Sequence, residues 1–208
     1  MKIKICGITN ISDALLCQNL GADALGFILY PESKRYISPD AVREIVYQTS
    51  PFLMKIGVFV NEQSETVNQI IRACSLHGAQ LHGDESPQYV QQIHHPVIKA
   101  FRVDSQFDFS VISGYSNCSF LLDTHSPEVF GGSGESFNWD CIPLPLRPYC
   151  LLAGGISITN IQQVYQNIKP AGVDLSSAVE SFPGRKDPEK LRLLFKKIEM
   201  LRTTEYRS

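Results

Sequence analysis

No stretch of this chain stays apolar long enough to span a membrane. The amino terminus alternates charged and apolar residues, Lys2-Ile3-Lys4-Ile5, where a signal peptide would run uninterrupted. The expectation is no membrane contact and a cytoplasmic address. An excess of either charge is also missing: 19 basic residues face 21 acidic ones for a net charge of −2, with no like-charged block and no Lys/Arg stripe. That balance argues against a nucleic-acid partner and for a small-molecule one. The six cysteines, at 6, 17, 74, 118, 141 and 150, form no CxxC pair, and several stand inside apolar runs where Cys behaves as a small core residue. His77, His94, His95 and His125 lack metal-ligand spacing. Neither a disulfide framework nor a metal is expected. A chain of 208 residues suffices for one well-buried core but hardly for two domains, so a single domain over 1–208 is expected.

What the chain does have is alternation. Short apolar β-type runs fall at 3–5, 24–29, 55–60, 79–81, 97–101, 120–122, 149–153 and 173–175. Between them lie helical stripes such as Val67, Ile70, Ile71, Cys74 and Ile161, Val164, Tyr165, Ile168, and Leu191, Leu194, Phe195, Ile198, Leu201 close the chain. Ser38-Pro39, Ser86-Pro87 and Asp187-Pro188 each set a capping oxygen before a proline whose missing N–H costs nothing in a first helical turn. Strand–helix alternation fits either an open doubly wound sheet or a closed barrel, and eight strands favour the (β/α)₈ TIM barrel. The stretch 104–148 is weakest. Residues 126–136 are rich in Gly and Ser and read as a loop, while Pro143, Pro145 and Pro148 predict a degraded outer helix between strands six and seven.

In a barrel, chemistry gathers at the carboxyl ends of the strands. Cys6-Gly7 ends the first strand, and Asp123-Thr124 ends the sixth. A Cys beside apolar residues is more often a core thiol, but its place at the strand end makes Cys6 a candidate for the barrel mouth. Asp123 is poorly explained as a helix cap, and a carboxyl there is placed to deliver a proton. Gly154-Gly155 after strand seven and Ser176-Ser177 after strand eight would be a turn and a cap if each stood alone. Together, on adjacent late strands, they predict a phosphate site. Arg35, in the loop after strand two, can hold a carboxylate by two parallel hydrogen bonds, or it can be a surface residue paired with Glu32. His82 after strand four is a candidate proton carrier, or a donor to a backbone carbonyl.

These residues resemble the phosphoribosylanthranilate isomerase family over the whole chain. The resemblance is carried by Lys4-Ile5-Cys6-Gly7-Ile8-Thr9, Gly26-Phe27 with Ser33 and Arg35, Gly57-Val58-Phe59-Val60-Asn61, Gln80-Leu81-His82-Gly83, Leu122-Asp123, Gly131-Gly132-Ser133-Gly134, Leu152-Ala153-Gly154-Gly155 and Gly172-Val173-Asp174-Leu175-Ser176-Ser177. It implies a (β/α)₈ barrel of tryptophan biosynthesis, monomeric or homodimeric. The implied reaction is the Amadori rearrangement of a phosphosugar, N-(5-phosphoribosyl)anthranilate, to 1-(2-carboxyphenylamino)-1-deoxyribulose 5-phosphate, without metal or cofactor. It further implies that Cys6 is the general base and Asp123 the general acid, with Arg35 on the anthranilate carboxylate and loops seven and eight on the phosphate. A thiolate is then needed, and Arg35 with the phosphate-binding amides is expected to favour it. The chain departs from the family pattern at Ile158, Asn138, Ser133 and Ala178, where Pro, Asp, Thr and Gly are usual. Ala178 matters most, because its methyl would weaken substrate binding if that position lies close to phosphate or needs a positive φ. The rival readings are a histidine-pathway isomerase or a bifunctional enzyme of both pathways, whose two-aspartate design Cys6 disfavours, and a silent phosphate-binding barrel, which the presence of both Cys6 and Asp123 disfavours.

Overall fold

The computed structural model describes residues 1–124 and 138–205. Eight parallel strands close into a barrel in chain order. They are β1 (Lys2–Cys6), β2 (Ala24–Ile28), β3 (Met54–Phe59), β4 (Gly78–Leu81), β5 (Val97–Val103), β6 (Ser119–Thr124), β7 (Cys150–Leu152) and β8 (Gly172–Leu175). Closure is made by β8 against β1, in a register that runs from Lys2 opposite Gly172 to Ile5 opposite Leu175. All eight expected strands are present, with ends that differ by one or two residues.

The alternation of side chains along each strand divides the interior in two. One parity, including Ile3, Ile5, Leu25, Phe27, Leu81 and Val173, packs beneath the helices in the main core. The other parity faces the barrel axis, where Ala100, Leu121 and Ala153 form a small separate cluster. Polar residues of that second parity, Lys4, Gln80, Asp123 and Asp174, are buried as well. A barrel axis lined by charge rather than by aliphatic layers is costly unless the charges are paired, which already marks the mouth as the place where stability has been traded for chemistry.

The helices are α1 (Ile11–Asn19), α2 (Pro39–Gln48), α3 (Ser64–Ala73), α4 (Pro87–Val90), α5 (Ile161–Gln163) and α6 (Pro188–Glu205). Capping explains their starts: Ser38 accepts from the Ala41 amide and Ser86 from the Tyr89 amide, each before a proline in the first turn. Asp187 accepts from the amides of Glu189 and Lys190 at 2.9 and 3.1 Å and starts α6. α5 continues as a π-helical turn, Val164–Ile168, and stops at Lys169 in the left-handed region. Ahead of α5 the Ser157 and Thr159 hydroxyls hydrogen-bond each other at 2.7 Å, Ser157 Oγ accepts from the Thr159 amide, and the amides of Asn160 and Ile161 donate to the Ser157 carbonyl.

The outer layer is thin between β4 and β7. Only the single turn of α4 follows β4, and a 3₁₀ segment, Phe109–Gly114, follows β5. Between β6 and β7 the described residues form two 3₁₀ turns, Trp139–Cys141 and Arg147–Tyr149, so the degraded helix expected there is found, with Pro148 inside the second turn. Trp139 and Ile142 are buried and cover the barrel wall in its place. The expected loop at 126–136, with His125 and the glycine segment 131–134, lies outside the described residues. β9 (Glu180–Phe182) and β10 (Arg185–Lys186) form a small antiparallel hairpin just past β8. Among the described residues no helix is long and apolar enough to cross a membrane.

Candidate active site

The carboxyl ends of parallel strands all open to one side, and there the inward residues line a cavity of about 450 Å³, the size of a small-molecule site. Its walls include Cys6, Arg35, Gln80, His82, Asp123 and Asp174, together with Gly154, Gly155, Ser176 and Ser177. Every site residue expected from the sequence therefore reaches the same cavity.

On one side β4 and β6 bring a carboxyl and an imidazole together. Gln80 and His82 share a face because they are two residues apart on an extended chain. The His82 amide prolongs the ladder by donating to the Phe59 carbonyl at 2.8 Å, which fixes the ring over the mouth. His82 Nε2 stands 3.2 Å from Asp123 Oδ2, and Gln80 Nε2 lies 3.0 Å from His82 Nδ1. The imidazole thus serves the carboxyl rather than a backbone carbonyl. With Gln80 donating to Nδ1, a neutral ring carries its proton on Nε2, toward Asp123.

On the other side stands the thiol. Cys6 is buried, and burial pushes its thiol above the ordinary range; Lys4 pulls it down, Asp174 adds to the rise, and Lys186 opposes it. At neutral pH the resting group is the thiol, contrary to the thiolate expected from an electropositive mouth. The nearest cation is Lys4, two residues earlier on the same face of β1. Lys4 lies opposite Asp174 in the β1–β8 ladder, and its Nζ is 2.8 Å from Asp174 Oδ2. Burial works against the Lys4 ammonium, but Asp174 and Cys6 outweigh it and hold its pKa above the usual lysine value. The Asp174 carboxyl is also raised, burial outweighing Lys4, with Asp123 adding to the rise. The 2.8 Å contact is ion-pair geometry, and it holds the Lys4 ammonium charged. Gly26 makes room for this arrangement: a β-carbon there would lie 2.7 Å from Cys6 Sγ and 2.9 Å from Lys4 Nζ.

The third wall is made of loops. Gly154 and Gly155 both take positive φ, +75° and +67°, which side chains with a β-carbon adopt only with strain. Ser176 Oγ is buried and has no hydrogen-bond partner among the described residues, a donor available to an anion. Ala178 lines the same wall without a positive φ, so the backbone strain feared for this substitution does not arise.

Arg35 is neither free nor paired with Glu32. Its Nε lies 3.0 Å from both carboxylate oxygens of Glu180, and its Nη2 lies 2.8 Å from Oε2. Glu32 takes the Tyr30 hydroxyl instead, at 2.7 Å. Lys186 Nζ joins the cluster, 2.8 Å from Glu180 Oε1 and 2.6 Å from the Cys6 carbonyl oxygen. Gly7, at φ +74°, lets the arginine pass: a β-carbon there would meet Arg35 Cδ at 2.8 Å. The charge of Arg35 is therefore held on Glu180, leaving its Nη1 edge as the part able to turn to a ligand. Burial raises the Glu180 carboxyl, but the hydrogen bonds from Arg35 and the charge of Lys186 overcome it and hold the group below its ordinary value of 4.5.

A depressed carboxyl stabilises the fold above its unfolded pKa, and that contribution is lost as pH falls through the folded value. Glu180→Gln leaves the buried Lys186 and the half-buried Arg35 without their anion and should destabilise the protein by about 3–5 kcal/mol at pH 7 in urea unfolding. The difference from the parent chain should shrink below about pH 4.5, as the parent's own Glu180 protonates. A constant difference down to pH 3 would show that charge is not the cause.

The sequence alone assigns no role to Lys4, Gln80, Asp174 or Glu180. Lys4 and Gln80 each carried a signal, since each precedes an assigned site residue by two positions on a strand. Glu180 carried none.

A closed (β/α)₈ barrel with a carboxyl, a thiol and a wall of glycines and serines around one mouth defines the class: a barrel enzyme with its site at the carboxyl ends of the strands. The family profile described as N-(5'phosphoribosyl)anthranilate (PRA) isomerase matches residues 3–197. The N-(5'-phosphoribosyl)anthranilate isomerase of Trichlorobacter lovleyi is 45% identical over 194 residues, covering 92% of this chain and 95% of that one. The crystal structure of phosphoribosyl anthranilate isomerase from Thermotoga maritima superposes with a TM-score of 0.89 at 39% identity, covering 96% of this chain and 99% of that one. A phosphoribosyl anthranilate isomerase solved with reduced 1-(o-carboxyphenylamino)-1-deoxyribulose 5-phosphate gives a TM-score of 0.86 at 38% identity, over 96% of this chain and 99% of that one. The chain belongs to the phosphoribosylanthranilate isomerase family, the isomerases of tryptophan biosynthesis.

Proposed function

We propose that this chain, acting over residues 1–208 as one catalytic barrel, rearranges N-(5-phosphoribosyl)anthranilate with Asp123 as general acid and Cys6 as general base. The observation that carries the reading is that Asp123, backed by His82, and Cys6, backed by Lys4, line one cavity. Asp123 gives its proton to the furanose ring oxygen, the C1–O bond breaks, and the nitrogen lone pair forms the Schiff base. Cys6 as thiolate takes the proton from C2, the C–H electron pair forms the C1=C2 bond and the C=N pair returns to nitrogen, giving the enolamine, which tautomerises to the ketone. Gly154, Gly155, Ser176 and Ser177 hold the phosphate, and Arg35 turns its Nη1 edge to the anthranilate carboxylate. The resting thiol gives up its proton before C2 is attacked, so turnover should rise with pH on the acidic side. A cytoplasmic enzyme, monomeric or homodimeric, with no metal, cofactor or nucleic acid, goes with this reading. Fluorescence-monitored turnover of phosphoribosylanthranilate by the purified chain tests it, and a parallel assay with the histidine-pathway aminoaldose separates the nearest rival. No turnover of the first, or equal turnover of both, would sink the assignment.

Arg35→Met should weaken binding of the anthranilate-bearing product about 10- to 100-fold, the worth of one charged hydrogen-bonded contact, while inorganic phosphate binds as before. Isothermal titration with both ligands checks this. Loss of phosphate affinity with product affinity intact would place Arg35 at the other end of the substrate.

A further inference from the structure

The thiol that serves as base on this reading is buried, and burial alone would make its anion unavailable. The groups that face it come from several elements. Lys4 shares its strand, and Asp174 lies across the ladder on β8. Lys186 approaches from β10 but spends its ammonium on the Cys6 carbonyl and on Glu180. Arg35 is likewise bound to Glu180. Asp123 and His82 act on Asp174 from the far wall. Lys4 is thus the cation whose charge is directed at the sulfur. Cys6 Sγ and Lys4 Nζ crowd the same point beside Gly26, within 3 Å of where its β-carbon would be.

We propose that Lys4 is the counter-ion of the Cys6 thiolate, and that Asp174, paired to the same ammonium at 2.8 Å, competes with the sulfur for it. Lys4 acts through Cys6 and is a positioning residue; its catalytic consequence rests on the reading of Cys6 as base. When the thiol loses its proton, the Lys4 ammonium is shared between sulfur and Asp174 Oδ2. Asp174 Oδ1 is buried and without a hydrogen-bond partner among the described residues, and the residue lines the cavity. A substrate hydroxyl donating to Oδ1 would draw negative charge from Oδ2 and release more of the ammonium to the sulfur. Substrate would then raise the thiolate fraction on arrival, while the empty site keeps a protonated and less oxidisable thiol.

The two members of the pair act on the thiol with opposite sign. A role in packing alone would not do this. The test is the rate at which iodoacetamide alkylates Cys6, followed by mass spectrometry of its peptide between pH 7 and 10. A charge at this range moves a pKa by about one to three units, so the rate below the thiol pKa should change about tenfold or more. Lys4→Met should slow alkylation by that factor and shift the acidic limb of kcat/KM to higher pH. Asp174→Asn should speed alkylation and shift its pH midpoint down.

Lys4→Met buries an unpaired carboxylate, so the decisive comparison is Asp174→Asn against Lys4→Met/Asp174→Asn, in which nothing is left unpaired. Thermal melting verifies that both are folded. The double variant should react at least tenfold more slowly than the single one. Equal rates, or slowing by Asp174→Asn relative to the parent chain, would overturn the proposal. Should alkylation follow the prediction while Cys6→Ala retains turnover, the counter-ion stands and the general-base reading fails.

Discussion

Cys6→Ala should fold and lose nearly all turnover. The cavity wall tolerates the change because Ala keeps small apolar bulk, Gly26 already leaves space there, and Lys4 retains Asp174 as its partner. What disappears is the sole proposed acceptor for the C2 proton. A positioned base contributes about a hundredfold to ten-thousandfold, and kcat should fall by that order. Product affinity, measured by titration, should change little, since Arg35 and the phosphate loops are untouched. Iodoacetamide should inactivate the parent chain slowly at neutral pH and faster as pH rises, because the buried thiol is held above the ordinary range. Product should protect it. A Cys6→Ala variant that turns over at the parental rate would end the assignment of Cys6, and inactivation that tracks the exposed Cys141 would point elsewhere.

How much of this site can be read from the chain depends on how local its causes are. The eight strands were legible because their apolar runs are short and bounded by turn residues, and the ends of those runs located Cys6 and Asp123. Helix starts were legible too, but helix lengths were not. Ser38-Pro39 and Ser86-Pro87 look alike, yet the first opens a ten-residue helix and the second one of four. The difference lies downstream: after Ser86 the chain has few residues before Pro96, which ends any helix ahead of β5. The charge network was least legible. Arg35 and Glu180 are 145 positions apart, and Lys4 and Asp174 are 170 apart. Only barrel closure, which sets β8 against β1, brings the second pair together. A reading confined to neighbours along the chain offers Arg35 only a ligand or Glu32, and the thiol an electropositive mouth. The folded protein neutralises the arginine with Glu180 and supplies the thiol with a lysine from its own strand.

Asp123→Asn is the sharper test of the two-proton scheme, because it keeps the size of the side chain and its contact with His82. An amide cannot deliver a proton to the ring oxygen. Ring opening should therefore fail before Cys6 is asked to act, and kcat should fall about a hundredfold to ten-thousandfold. The carboxyl touches the substrate at an atom whose charge changes only during reaction, so the loss should appear in kcat and kcat/KM together with KM nearly unchanged. Product titration should confirm that the cavity still binds. Alkylation of Cys6 should remain, since its counter-ion is intact, which separates a failed acid from a collapsed site. A variant with near-parental kcat, or one whose product binding falls with its rate, would mean that Asp123 organises His82 and the mouth rather than protonating the substrate.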